Sequence, residues 1–213
     1  MRQQLIAFKG QKITLEGIIS TPNSISGPFP GVVLCHPHPL FGESMDSHLM
    51  QSLSRMLASE GISTLRFNFR GVGGSDGTFD RGVGEQEDLK AAINTFKQWP
   101  GIKKNRIAVA GVSFGATVIL DVLPKPNEVQ ALALVSPTAS ALQRSKLDKF
   151  GKSKQIIVGD KDRLVPSSQL HDILSTMKSP VQYTVIAGAD HTWSGYEDQL
   201  ASQLTQFLTN ALT

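Results

Sequence analysis

Arg106-Ile-Ala-Val-Ala-Gly-Val-Ser-Phe-Gly-Ala-Thr-Val-Ile-Leu120 decides how the rest of the chain is read. Residues 107–110 are an apolar run of strand length, and residues 116–120 continue apolar without a turn signal, as a helix covered on both sides would. Between them stands Gly111-Val-Ser113-Phe-Gly115, a G-x-S-x-G in strand-to-helix context. A strand turning straight into a helix crowds the neighbours of its serine, so the positions two before and two after must lack a Cβ. Ser113 is then expected in strained backbone with its hydroxyl lifted clear of the sheet. The pattern alone is not specific, because Gly73-Gly-Ser75-Asp-Gly77 matches it equally. Ser75 is followed by Asp-Gly-Thr-Phe-Asp-Arg-Gly, which cannot begin a helix. Ser75 reads as a loop serine and Ser113 as the candidate nucleophile.

Outward from this stretch, strands and helices alternate. Residues 3–9 and 13–20 are strand-like around Gly10-Gln-Lys12, a hairpin, and residues 21–30 are a Pro, Ser, Gly and Asn-rich loop. Residues 31–35 are a buried strand without alternation. A helix over 45–60 places Leu49, Leu53, Met56 and Leu57 on one face and stops at Gly61. Residues 63–69 form a strand, a glycine-rich loop runs to Gly84, and residues 85–99 form a helix ended by Pro100-Gly101. Beyond the elbow come strands at 129–135 and 155–158, a helix at 167–177, and a strand at 181–186. A last helix carries Trp193, Tyr196, Leu200, Leu204, Phe207 and Leu208 along one face. Continuous apolar strands alternating with helices predict a mostly parallel sheet with helices on both sides. In such sheets sites gather at the carboxyl ends of strands. His36, Arg70, Ser113, Asp162 and His191 all fall there.

The chain has 213 residues, 40% of them hydrophobic, which suits one domain over residues 1–213 with a substantial core. The net charge of +3 is mild, and the lysines near 103–104 and 146–154 have no interleaved aromatics, so nucleic-acid binding is not expected. Cys35 is the only cysteine, which rules out an internal disulfide. The start of the chain has no long apolar core or cleavage site, and no apolar run reaches bilayer-spanning length. A soluble cytoplasmic protein, not membrane-bound, is the expectation; nothing bears on oligomeric state.

Three stretches together carry a resemblance: Gly111-Val-Ser-Phe-Gly115, Gly159-Asp-Lys-Asp-Arg-Leu-Val-Pro166 and Gly188-Ala-Asp-His191. On these the chain resembles the α/β-hydrolase superfamily along nearly its whole length. Within it, His36-Pro-His-Pro-Leu-Phe-Gly42 continuing to Asp46, with Leu65-Arg-Phe-Asn-Phe-Arg-Gly-Val-Gly73, looks like the small lid-less hydrolases of bacterial type. Many of those show Gly-Gly-Thr where this chain has Gly42-Glu-Ser44. The resemblance implies an α/β-hydrolase fold, a mostly parallel twisted sheet of about eight strands with helices on both faces. Only about eighteen residues separate the strands ending near Ser136 and starting near Gln155, where larger relatives insert a lid, so no large lid is expected.

A serine hydroxyl is a poor nucleophile unless a base takes its proton, and that base is a histidine oriented by a carboxylate. In this family the chain order is serine, acid, histidine, which Ser113, Asp162 and His191 satisfy. Asp160 shares the acid's loop; the family pattern Gly-x-x-Asp, continued by Val-Pro, implies Asp162, with Asp160 capping the turn. Asp190 cannot easily reach the ring of its own neighbour and reads as a loop carboxylate. The oxyanion hole needs two backbone N–H groups. One is expected from Phe114, the residue after the nucleophile, and the other from the loop after the strand at 31–35. Pro37 and Pro39 have no N–H, so His38 is the first candidate and Leu40 the fallback.

His36-x-His38, with Glu43, Asp46 and His48 nearby, has the start of a metal-site pattern, but Pro-Leu-Phe follows where further ligands belong, and no metal is expected. Cys35 precedes its loop instead of sitting on an elbow, as a buried structural cysteine would. Arg70 either contacts a substrate anion or ties loops together. The run from Gly71 to Gly77 lacks the lysine and helix of a phosphate loop. The expectation is a cofactor-independent carboxylesterase acting on small or exposed acyl esters through an acyl-enzyme on Ser113. An acyltransferase or peptidase using the same triad, or a non-catalytic binding protein of this fold, stays open.

Overall fold

The computed structural model describes residues 1–23 and 26–212. Eight strands form one sheet: β1 (Arg2–Lys9), β2 (Thr14–Thr21), β3 (Phe29–Cys35), β4 (Ser63–Phe67), β5 (Ile102–Val112), β6 (Ala131–Val135), β7 (Ser153–Gly159) and β8 (Gln182–Ile186). Their spatial order is β1-β2-β4-β3-β5-β6-β7-β8. The hairpin β1–β2 and the β2–β4 pair are antiparallel, and every other pair is parallel. Among the described residues, six α-helices accompany them: α1 (His48–Ser59), α2 (Gly84–Gln98), α3 (Phe114–Val122), α4 (Ala139–Arg144), α5 (Ser167–Ser175) and α6 (Glu197–Leu212).

Alternation along the buried strands divides the core into two layers. Val33, Cys35, Ile107, Val109, Leu132, Leu134, Ile156 and Val158 face α2, α3, α4 and α5. Val32, Leu34, Ala108, Ala110, Ala131, Ala133 and Ile157 face α1 and α6. Alanines at the centre of that second face leave room for Leu200, Leu204 and Leu208 of α6 to sit close to the sheet. Each fully buried Leu, Ile or Val here stabilises the fold by about 1.5–3 kcal/mol relative to exposure.

Several predicted boundaries move. The strand expected at 107–110 begins at Ile102, because Phe29 pairs with Ile102 at the far end of β3 and draws the charged residues 103–106 into β5. The strand expected at 63–69 ends at Phe67: Asn68 and Phe69 turn their N–H groups to Glu16 and to the His36 ring. The helix expected from residue 45 starts at His48, with Met45 held instead by Asn68 Oδ1. Trp193 is not helical; it has φ of 61° in a turn before α6, yet it packs in the same core layer as the helix. The loop expected over 21–30 is shorter, since β2 runs through Thr21 and β3 starts at Phe29, and residues 24–25 of it lie outside the described residues. The sequence pattern does not predict the short helix α4. It lies in the 136–152 connection and is N-capped by the Thr138 hydroxyl; no larger insertion stands there. Among the described residues no helix is long and apolar enough to cross a membrane.

Candidate active site

The parallel strands β3, β5, β6, β7 and β8 end side by side, with Cys35 against Gly111, Val112 against Val135, Val135 against Ile157, and Gly159 against Ile186. The loops leaving these ends therefore converge. Ser113 lies between β5 and α3 with φ of 52° and ψ of −107°, a left-handed conformation costly for a residue with a Cβ. Its N–H donates to Val135 O at 2.8 Å, which fixes it to the sheet. The flanking glycines are required by contact. A Cβ on Gly111 would stand 2.6 Å from the Gly115 carbonyl carbon, and one on Gly115 would overlap the Cys35 carbonyl. Both obstacles are backbone.

Ser113 Oγ lies 2.9 Å from His191 Nε2, and His191 Nδ1 lies 2.8 Å from Asp162 Oδ2. The second Asp162 oxygen accepts the N–H groups of Leu164 at 3.0 Å and Val165 at 2.8 Å. Burial alone would raise the Asp162 carboxyl, but hydrogen bonds from His191 and the Val165 N–H outweigh it and hold the group below its ordinary value. The buried Ser136 hydroxyl sits close enough to favour the charged carboxylate, without forming a well-aligned hydrogen bond to it. An ionised Asp162 fixes the proton of a neutral His191 on Nδ1, leaving Nε2 free to accept from the Ser113 hydroxyl.

Phe114 is the first residue of α3, so its N–H has no partner inside the helix. His38 precedes a short 3-10 turn, Pro39–Phe41. Its ring packs against Phe41, Phe79 and Phe114 with centroids 5.0–5.2 Å away, and burial lowers its pKa. The Leu40 N–H is already donated to His38 Nδ1 at 3.3 Å, which leaves the His38 N–H as the available donor of this loop. Ser113, His191 and His38 open on a cavity of about 490 Å³ whose walls include Phe41, Leu49, Leu164, Val165 and Trp193. Glu43 and Glu197 line it too, with no lysine or arginine. A larger groove of about 910 Å³ lies elsewhere, against β1, Phe29 and Trp99, and contains none of these groups.

The remaining candidates have other partners. Ser75 is buried, donates to Asn68 O and receives the Glu16 N–H, as a loop tie. Arg70 is engaged bidentately by Asp88 at 3.0 and 2.7 Å, so it fastens the glycine-rich loop to α2. Asp160 accepts the Gly188 N–H, and Asp190 accepts from Thr192. Cys35 is buried and burial pushes its thiol far up. The His36 nitrogens are taken by Phe69 N–H and Pro37 O, and no metal-holding group of His, Cys, Asp and Glu exists among the described residues. Sequence reasoning missed Thr138, Leu164 and Trp193 as cavity walls, and the Leu164 and Val165 amides as supports of Asp162. Only the Val-Pro after the acid hinted at the last of these.

Such a sheet, with a strained serine between β5 and α3, defines a class: the chain belongs to the α/β-hydrolase family, whose α/β hydrolase domain matches residues 31–212. It is similar to an α/β serine hydrolase homologue from Coxiella burnetii, with 33% identity, a TM-score of 0.84 and 97% of both chains covered. It is also similar to an α/β serine hydrolase without lid from Xanthomonas campestris, with 27% identity, a TM-score of 0.86, and 100% of this chain and 96% of that one covered. An uncharacterized protein of Rickettsia prowazekii is 29% identical over 212 residues, covering 95% of this chain and 87% of the relative.

Proposed function

We propose that this protein is a serine hydrolase that cleaves carboxylic esters through an acyl-enzyme on Ser113. The observation that carries the reading is the unbroken relay from Ser113 Oγ to His191 at 2.9 Å and on to Asp162 at 2.8 Å. The likeness to a serine hydrolase homologue from Coxiella and to a lid-less serine hydrolase from Xanthomonas supports it. In this mechanism His191 Nε2 takes the Ser113 proton as Oγ attacks the ester carbonyl. The N–H groups of Phe114 and His38 receive the developing oxyanion, a contribution worth about 3–4 kcal/mol per donor. His191 then returns the proton to the departing alcohol. Water, deprotonated by the same nitrogen, releases the acid and restores the serine.

Apolar walls beside Ser113 and the absence of a large insertion after β6 favour small or exposed acyl groups over long chains buried under a lid. No cofactor enters any step, and a small-molecule ester is the partner. The test is turnover of p-nitrophenyl acetate, octanoate and palmitate by wild type and Ser113→Ala. Activity on the short esters that disappears in the variant is the expected result. A preference for palmitate would count against the open-site reading. Diversion of the acyl group to added alcohols or amines in preference to water would turn the assignment to acyl transfer.

A further inference from the structure

His36 lies beneath the loop that presents the His38 amide. It is fully buried, with its ring edge-on to Phe69 at 5.0 Å. The Phe69 backbone N–H, which can only donate, points at His36 Nε2 from 3.2 Å. Nε2 therefore carries no proton, and the neutral ring holds its hydrogen on Nδ1. That nitrogen faces Pro37 O at 2.7 Å and donates to it.

A trans peptide unit is planar, with its carbonyl and its N–H pointing to opposite sides. Tying Pro37 O down to the buried His36 ring consequently turns the His38 N–H away from the ring and outward. The prolines do not supply this orientation. The Pro37 ring fixes its own φ and Pro39 restricts ψ of His38, which is 121°, but neither fixes ψ of Pro37, about which the 37–38 plane turns. Turned over, the same plane would present a carbonyl oxygen where an anion must form.

We propose that His36 is a positioning residue that locks the Pro37–His38 peptide with its N–H toward the oxyanion, using the Phe69 N–H, just beyond β4, as the anchor. Its effect on catalysis rests on the ester-hydrolase reading above; the peptide lock itself does not.

Two measurements test it. Nitrogen-15 NMR of the wild-type imidazoles should show His36 neutral and protonated on Nδ1 at neutral pH; protonation on Nε2 would overturn the proposal. Of two substitutions, His36→Asn keeps a donor near the Nδ1 position, whereas His36→Gln reaches toward Phe69 and gives up the donor to Pro37 O. With p-nitrophenyl acetate, kcat should fall about 100-fold in His36→Gln at unchanged KM, and far less in His36→Asn. Equal losses in both, or full kcat in His36→Gln, would overturn it. A wild type without esterase activity would sink the ester-hydrolase reading alone, and the tautomer would still decide whether His36 holds the peptide.

Discussion

Acid should destabilise this protein in large part through His36. Burial, the strongest influence on the ring, holds its pKa down at about 4 against an ordinary 6.5, with the Pro37 bond pulling the other way. Above about 6.5 the ring is neutral folded or unfolded, and pH has no leverage on it. Between 6.5 and about 4 the unfolded chain takes up a proton that the folded chain refuses, so stability falls; below about 4 both states are protonated and the loss levels off. At 1.36 kcal/mol per pH unit, that interval amounts to roughly 3 kcal/mol, a large share of a typical domain's stability. Urea unfolding of wild type and His36→Asn across this window is the assay. Wild type should lose about 3 kcal/mol more than the variant on going from about pH 7 to about pH 4. The His38 depression acts in the same direction but is common to both proteins and cancels. Asp162, held below its ordinary 3.8, stabilises the fold above that value and loses the contribution as pH falls further, outside the window. Parallel stability curves for the two proteins would refute the reasoning.

Replacing Asp162 by Asn removes the group that fixes the His191 tautomer, and should lower kcat for p-nitrophenyl acetate by about 10⁴. Gly115→Ala drives a Cβ into the Cys35 carbonyl and should cost about 3 kcal/mol in denaturant unfolding along with most of the activity. Cys35, whose thiol burial pushes far up, should resist iodoacetamide in the native protein at about pH 8 and react once unfolded. Glu43→Gln combined with Glu197→Gln removes both carboxylates from a cavity lined by no lysine or arginine. It should raise kcat/KM about tenfold for an ester bearing a carboxylate on its acyl group, with that for the acetate ester unchanged.

The parts of this site legible in the sequence are those whose constraint is local. Gly111 and Gly115 announce the elbow because the clash they avoid lies within a few residues of Ser113 or directly across β3. Asp162 and His191 lie on loops just after β7 and β8, in the short stretches Gly159-Asp-Lys-Asp162 and Gly188-Ala-Asp-His191. What stayed hidden depends on distant partners. His36 could be read as a strand-end residue, but its work needs Phe69, brought alongside by the β3–β4 pairing. The backbone amides of Leu164 and Val165 leave no side-chain signature. Trp193 keeps the apolar spacing of α6 because it fills the same core layer, although its left-handed backbone lies outside the helix. The charged start of β5 reads as loop until Phe29 is seen to pair with Ile102.

Reaction with a fluorophosphonate, followed by mass-spectrometric mapping of the modified residue, addresses the central claim most directly. The probe reports an activated serine whatever the natural substrate. The account predicts one adduct, on Ser113, absent from Ser113→Ala and strongly slowed in Asp162→Asn. An unlabelled protein, or an adduct on Ser75 or another residue, would contradict it.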